Sequence, residues 1–294
     1  MNVKICDVEF EMGGPYLTEL RDSGDIRHDM DALRARMQED GYVLIRGFHD
    51  RDKVLKAREQ ILQKLERMGK LQPNTDLTEA LIGEGQRGVM FGGTNTDLPA
   101  YLDVVNSPDV MKFFEQFLDG EPRTLDYKWL RAVSTGGFTG AHYDIVYMGR
   151  GTPNLYTLWT PFGDTPIEMG TLAILLGSQH FEKIRQTYGQ MDVDRDSIEG
   201  WFSRDPLELV QKFGGKWATT HFEAGDAIFF GMFLMHSSTE NTTNRFRISC
   251  DTRYQLDSEP VDDRWIGDKP KGHTAKADHQ RINMEDARKK WGLA

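Results

Sequence analysis

Three His-x-acid pairs punctuate the sequence: His142-Tyr143-Asp144, His180-Phe181-Glu182 and His221-Phe222-Glu223. Two histidines and one carboxylate on one face of Fe(II) leave the other positions open for a co-substrate and dioxygen, so such a pair can supply two of three ligands. On a β-strand the two-residue period points both side chains of the pair to one face, about 7 Å apart. Composition alone makes about one such pair, because eight histidines and 46 acids are spread over 294 residues. Local context separates the three. His180 leads into a polar stretch, and Glu223 runs into the turn residues Ala224, Gly225 and Asp226. Only His142 and Asp144 fall where a strand, expected over 139–147, would continue past both. The third ligand must come from a later strand, and His236 ends the apolar run from Ala227 to Met235. A lone histidine there is ordinarily a packed residue. The next segment, however, puts Arg245 and Arg247 on one parity of a strand. A dicarboxylate co-substrate that chelates iron at one end needs a cation at the other, and a planar guanidinium matches a carboxylate. The alternative is a pair of surface arginines on an acidic protein.

The surrounding segments predict a mainly β chain with flanking helices. Met30, Leu33 and Met37 share a helical face, Gly41 stops that helix, and Tyr42 to Ile45 reads as a strand. Asp50 caps a second helix whose stripe is Val54, Ile61, Leu65 and Met68, closed by Gly69. Ser107, Pro108 and Gly120 bracket a third, with Val110, Phe113, Phe114 and Phe117 as its buried face. From about residue 123 short apolar runs alternate with Gly, Asn, Asp and Pro, the texture of an all-β sandwich or barrel. Strands are expected over 125–133, 139–147, 155–161, 170–176, 227–233 and 246–255, which suggests a jelly roll. A polar insertion over about 181–216, with a helix started by Asp205 and Pro206, is either a lid or solvent-facing padding. The tail after Asp257 is polar until a terminal helix over 283–291. With no repeat and no linker, residues 1–294 read as one domain. Its parts are a helical portion with one strand (1–122), a β core (123–256) and a C-terminal tail and helix (257–294).

Two motifs mimic binding sites without their context. Gly83, Gly85 and Gly88 spell G-x-G-x-x-G, but a helical-looking segment precedes them and no helix follows, so a loop is expected instead of a dinucleotide turn. Asp192, Asp194 and Asp196 open like a calcium loop, yet Ser197 and Ser203 stand where Gly and a bidentate Glu are needed. That stretch reads as a solvated acidic loop. The formal net charge of −10, without a basic run, argues against nucleic-acid and anionic-membrane binders. Acids interrupt the N-terminal segment where a signal peptide would be apolar, and no window approaches a membrane span. Cys6 and Cys250 are too few for a disulfide framework. A cytoplasmic protein with reduced thiols is expected.

The segment from Glu39 to Phe48, the pair His142 and Asp144, Leu158 to Phe162, Gly170 to Ser178 and Gly225 to Phe230 follow one another in an order that, with His236, Ser238, Asn241 and Arg247, resembles the phytanoyl-CoA dioxygenase family of Fe(II)- and 2-oxoglutarate-dependent oxygenases. The resemblance implies a double-stranded β-helix, a cupin-like jelly roll. It implies iron held by His142, Asp144 and His236, and the far carboxylate of 2-oxoglutarate held by Arg247, eleven residues past His236, with Arg245 as its neighbour. Ser238 and Trp159 match positions that line the 2-oxoglutarate pocket. Where the family has Pro-Gly-Ser-His, this chain has Leu176-Gly177-Ser178-Gln179-His180, which leaves His180 as a structural or rim residue.

The implied reaction consumes dioxygen and 2-oxoglutarate, releases succinate and carbon dioxide, and hydroxylates an unactivated C–H bond of a small molecule. Halogenating relatives carry a small residue in place of the aspartate, so Asp144 favours hydroxylation; desaturation and epimerisation use the same triad. Tyr127, Trp129 and Arg131 would share one strand face, and Tyr143 and Tyr147 lie near the metal strand; these side chains either line a pocket or pack. The acidic balance gives no basic rim for a CoA thioester. Two other classes fit parts of the pattern: a barrel that binds without redox chemistry, and a metal-dependent hydrolase or isomerase that would not need Arg247. Nothing in the sequence assigns an oligomeric state.

Overall fold

The computed structural model of the protein describes residues 1–274 and 281–294. Its strands are β1 (Asn2–Ile5), β2 (Val8–Glu11), β3 (Leu17–Glu19), β4 (Tyr42–Ile45), β5 (Val89–Gly93), β6 (Pro122–Thr124), β7 (Lys128–Val133), β8 (Tyr156–Pro161), β9 (Leu172–Leu175), β10 (Trp217–Thr219), β11 (Ala227–Gly231), β12 (His236–Ser238) and β13 (Arg247–Leu256). Its helices are α1 (Met30–Asp40), α2 (Arg51–Arg67), α3 (Pro99–Val105), α4 (Pro108–Leu118), α5 (Ile145–Met148), α6 (Glu182–Gln186), α7 (Pro206–Phe213) and α8 (Met284–Lys290).

The larger sheet runs β4-β11-β8-β13-β7-β5, with β6 paired to β13, and all its pairings are antiparallel. The smaller runs β12-β9-β10-β3. Trp159, Ile228 and Phe230 of the first sheet pack with Leu172, Ile174 and Ala218 of the second in one buried cluster, so two sheets face each other as in the expected jelly roll. The other face of the larger sheet is covered by helices: Leu33, Val110, Phe114 and Phe117 pack on Val43, Leu158, Phe229 and Tyr254, and Val54, Ile61, Leu65 and Tyr101 accompany Leu130, Ile248 and Cys250.

Local chemistry accounts for the helix ends. Asp50, Ser107, Asp205 and Asn283 accept first-turn amides at the starts of α2, α4, α7 and α8. Gly41 ends α1 at φ +79°, and a Cβ there would also lie 2.7 Å from Leu234.

Four expectations need correction. Segment 1–122, read as helical with one strand, contains β1 to β5, and β3, β4 and β5 belong to the two facing sheets, so the β core does not begin at residue 123. These strands hold three to five residues each. Their pairing partners stabilise them, because so few residues give no period of their own. Second, the strand expected over 139–147 does not form. Ala141 and His142 make isolated bridges to Ser203 and His236, and at Asp144 the backbone turns helical into α5. Third, the insertion over 181–216 is not padding: Ile184, Tyr188, Phe202 and Leu209 are buried in a core cluster with Met284, Ala287 and Leu293 of the C-terminal part. Fourth, Asp192 and Asp194 are buried, not solvated; both are paired with Arg150 and Arg264. The glycine motif at 83–88 is a loop that runs into β5, as expected. Terminal helix α8 matches the expectation over 283–291; of the polar tail, residues 275–280 lie outside the described residues. Among the described residues no helix is long and apolar enough to cross a membrane.

Candidate metal centre

His142 and His236 face each other across an antiparallel bridge in which each backbone amide donates to the other's carbonyl, at 3.0 and 3.1 Å. The bridge brings the imidazole centroids to 4.1 Å. His236 opens β12, held in register by Ile174 of β9. Asp144 comes from the turn into α5, so helical backbone, not the pleat of a strand, aims its carboxylate at the rings. Ligand atoms of the three residues lie within 4.8 Å of one another, and all three residues are buried.

Hydrogen bonds define what these atoms can do. His142 Nδ1 lies 2.8 Å from the Gly140 carbonyl and His236 Nδ1 2.9 Å from the Leu234 carbonyl. A carbonyl only accepts, so each Nδ1 carries a proton, and in the neutral ring Nε2 is the nitrogen with the lone pair. Those lone pairs face Asp144 Oδ1 at 3.6 and 3.7 Å. Burial, with His142 close by, pushes His236 down to about 4, which disfavours a proton there. Burial alone would raise the Asp144 carboxyl, but Arg253, His236 and His142 hold it well below the usual carboxylate range. Two imidazole Nε2 atoms and one carboxylate oxygen therefore converge, and a cation is the group that such a donor set fits.

The other carboxylate oxygen is used differently. Asp144 Oδ2 accepts from Thr157 Oγ1 at 2.5 Å and from Arg253 Nη2 at 3.1 Å. Neither residue was singled out from the sequence. The signal was present in the alternation Arg247, Ser249, Asp251, Arg253 along β13, which puts four polar residues on the face turned to the site.

A cavity beside the triad is lined by Arg131, Thr139, Trp159, Leu172, Ser238 and Arg247. Arg247 is 3% exposed. Its Nη1 donates to Ser249 Oγ, its guanidinium lies 5.9 Å over the Trp159 ring, and its Nε has no partner among the described residues. A buried guanidinium with an unused donor fits an anionic ligand. Ser238 Oγ accepts the Thr139 amide at 2.9 Å on the opposite wall. The structure thus brings His142, Asp144, His236, Arg247, Ser238 and Trp159 together. Arg245 is left out, turned outward to Glu79. His180 and His221 are exposed and lie outside the triad. Arg131 is paired with Asp251 at 3.2 Å. Tyr147 packs edge-on against His142, whereas Tyr143 donates to the Ser178 carbonyl, and Tyr127 and Trp129 pack with Trp265.

Comparisons with known proteins agree with this geometry. The chain is 30% identical over 256 residues to 1-deoxypentalenic acid 11-beta-hydroxylase of Streptomyces exfoliatus, covering 81% of this chain and 86% of that protein. The protein of that name from Streptomyces arenae is 29% identical over 253 residues, covering 81% and 85%. Among solved structures, the non-heme alpha-ketoglutarate-dependent carbocyclase SnoK from nogalamycin biosynthesis shares the fold at a TM-score of 0.58 and 16% identity, over 88% of this chain and 98% of that one. The epimerase SnoN, solved with Fe3+, alpha-ketoglutarate and nogalamycin RO, shares it at 0.57 and 16%, over 86% and 97%. The sequence profile of the phytanoyl-CoA dioxygenase (PhyH) family matches residues 37–249, more than half of the chain, and the protein belongs to that family of Fe(II)- and 2-oxoglutarate-dependent oxygenases.

Proposed function

We propose that His142, Asp144 and His236 hold Fe(II), that Arg247 receives the far carboxylate of 2-oxoglutarate between Trp159 and Ser238, and that the enzyme hydroxylates a C–H bond of a small organic molecule. The observation that carries this reading is the convergence of two Nδ1-protonated imidazoles on the unshared oxygen of Asp144. Fe(II) bound there, with 2-oxoglutarate and dioxygen, supplies an oxidant for unactivated C–H bonds: one oxygen atom goes to the substrate, the other to succinate, and carbon dioxide leaves.

The chain's own residues prepare this chemistry. The carbonyls of Gly140 and Leu234 fix both ring tautomers, which keeps Nε2 available as an electron-pair donor. Arg247 orients the co-substrate through its guanidinium, which lies over the Trp159 ring. The triad is buried, which limits water at the reacting centre. Two relatives named for hydroxylation of an organic acid support hydroxylation of a small molecule by this chain. Both cysteines are free thiols in the interior, which supports a reducing, cytoplasmic setting.

The test is anaerobic addition of Fe(II) and 2-oxoglutarate to the apoprotein, followed by oxygenation with a metabolite library and measurement of succinate. A charge-transfer absorption band that His142→Ala abolishes is expected. No band in the wild type, or an unchanged band in the variant, overturns the reading.

A further inference from the structure

Asp144 is a carboxylate whose two oxygens have unequal surroundings. Oδ2 accepts from Arg253 Nη2 and Thr157 Oγ1, whereas Oδ1 accepts from neither and faces both imidazole Nε2 atoms. Arg253 and Thr157 are cross-strand neighbours on β13 and β8, so sheet register sets the spacing of the two donors. Both are buried, Arg253 at 2% exposure and Thr157 at 0%. The Arg253 guanidinium is held by three contacts: Nε donates to Met148 Sδ at 3.1 Å, Nη2 donates to Asp144, and Cζ lies 4.7 Å from the centroid of the Trp129 ring. Long flexible side chains seldom have so many fixed points, and a planar fork loses little freedom in making them.

We propose that Arg253, together with Thr157, is a positioning residue that makes Asp144 a one-oxygen metal ligand. This rests on the metal-centre reading above. A carboxylate free of such donors binds a cation through either oxygen or through both, and two-oxygen binding occupies a position that a facial triad must leave open for co-substrate and dioxygen. With Oδ2 occupied by a guanidinium and a hydroxyl, only Oδ1 is offered. Hydrogen bonds that orient metal ligands in this way change metal affinity by about 10- to 100-fold when removed. The role differs from that of Arg247, which stands at the start of the same inner row and points toward the co-substrate cavity.

The experiment uses Co(II) as the probe on the full chain, because its visible spectrum reports coordination number. Affinity is measured by competition with a chelator, and the spectrum is recorded at saturating metal, for wild type, Arg253→Met, Arg253→Lys and Thr157→Val. Arg253→Met is expected to weaken Co(II) binding about 10- to 100-fold and to shift the spectrum of the saturated protein. Arg253→Lys is expected to recover part of both. Thr157→Val, which keeps the side-chain volume, is expected to move both in the same direction by less, and it decides the matter should Arg253→Met fail to fold. A saturated spectrum identical to wild type in all three variants overturns the proposal even if affinity falls, since a merely structural role gives that result. Failure of the wild type itself to bind Co(II) through His142 overturns the metal-centre reading instead.

Discussion

Replacing Arg247 with methionine should have opposite effects on co-substrate binding and on the stability of the ligand-free protein. The guanidinium is buried, its Nε has no partner among the described residues, and Arg131 lies close enough to add to the cost of its charge. Burial, then Arg131, pushes it down to about 10 from an ordinary 12.5. That depression corresponds to on the order of 3 kcal/mol spent on holding the charge in the ligand-free state. Methionine keeps apolar contact with Trp159 and removes the charge, so the apo variant should melt a few degrees higher. Truncating one partner of a buried, hydrogen-bonded charge pair costs about 2–5 kcal/mol of binding, roughly 30-fold to several thousand-fold in Kd. Chelation at the metal end survives, so affinity should fall without vanishing. Anaerobic titration of the charge-transfer band with 2-oxoglutarate measures the first effect. Thermal unfolding with and without 2-oxoglutarate measures the second. Wild type at a hundred times its Kd gains about 2.7 kcal/mol, a gain the variant should largely lose at the same concentration. A variant that binds 2-oxoglutarate within threefold of wild type would refute the assignment of Arg247.

Three further outcomes follow from the packing. His49 is buried against Thr160, and burial pushes it down to about 3; below its unfolded value near 6.5 the unfolded chain takes up a proton that the folded chain refuses. Stability should therefore fall by roughly 1.4 kcal/mol per pH unit as pH drops from about 6.5 toward 3. His49→Gln should remove about 2 kcal/mol of the difference between urea midpoints taken at pH 7 and pH 5, after multiplying each by its m value. Arg264 bonds Asp262 and Asp194 and lies 3.1 Å from Asp192, all buried; Arg264→Met should destabilise by about 3–5 kcal/mol, and a melting temperature within 2 °C of wild type, on the scale of a sub-kcal effect, would contradict this. A Cβ on Gly140 would lie 2.6 Å from the Trp201 ring; because the Gly140 carbonyl holds His142 Nδ1, Gly140→Ala should lower Co(II) affinity about tenfold or more by displacing that anchor. Equal chelator competition in variant and wild type would speak against the anchor.

The elements that were legible in the sequence are those specified by local chemistry. A capping side chain such as Asp50 or Asn283, a left-handed glycine such as Gly41, and an apolar stripe along α2 each act within one or two turns, so reading them needs no knowledge of the rest of the chain. Strands β3, β10 and β12 hold three residues each and form because a neighbouring strand supplies their hydrogen bonds, information that lies far off in sequence. Asp192 and Asp194 looked solvated for the same reason: the arginines that neutralise both are distant in sequence, Arg150 before the insertion and Arg264 after β13.

His142 and Asp144 converge with His236, but not through the local structure that their spacing suggests. His142 and Asp144 were expected to share a face through the pleat of a strand, yet the backbone leaves extended geometry at Asp144 and the two side chains meet by other means. At both histidines the carbonyl two residues earlier, that of Gly140 or Leu234, turns the imidazole so that Nε2 points into the site. Between them the reciprocal bridge sets the separation of the two rings. Asp144 is then aimed by Thr157 and Arg253, which belong to the opposite sheet wall. Spacing offered three such pairs, and only the context of His142 and Asp144 set one apart. Their convergence required two tautomer-fixing carbonyls and a cross-strand pair of donors, none of which has a sequence spacing of its own. A substitution at Arg253 should thus disturb the centre as strongly as one near His142 in the chain, and the Co(II) spectra of Arg253→Met and Gly140→Ala compare the two directly.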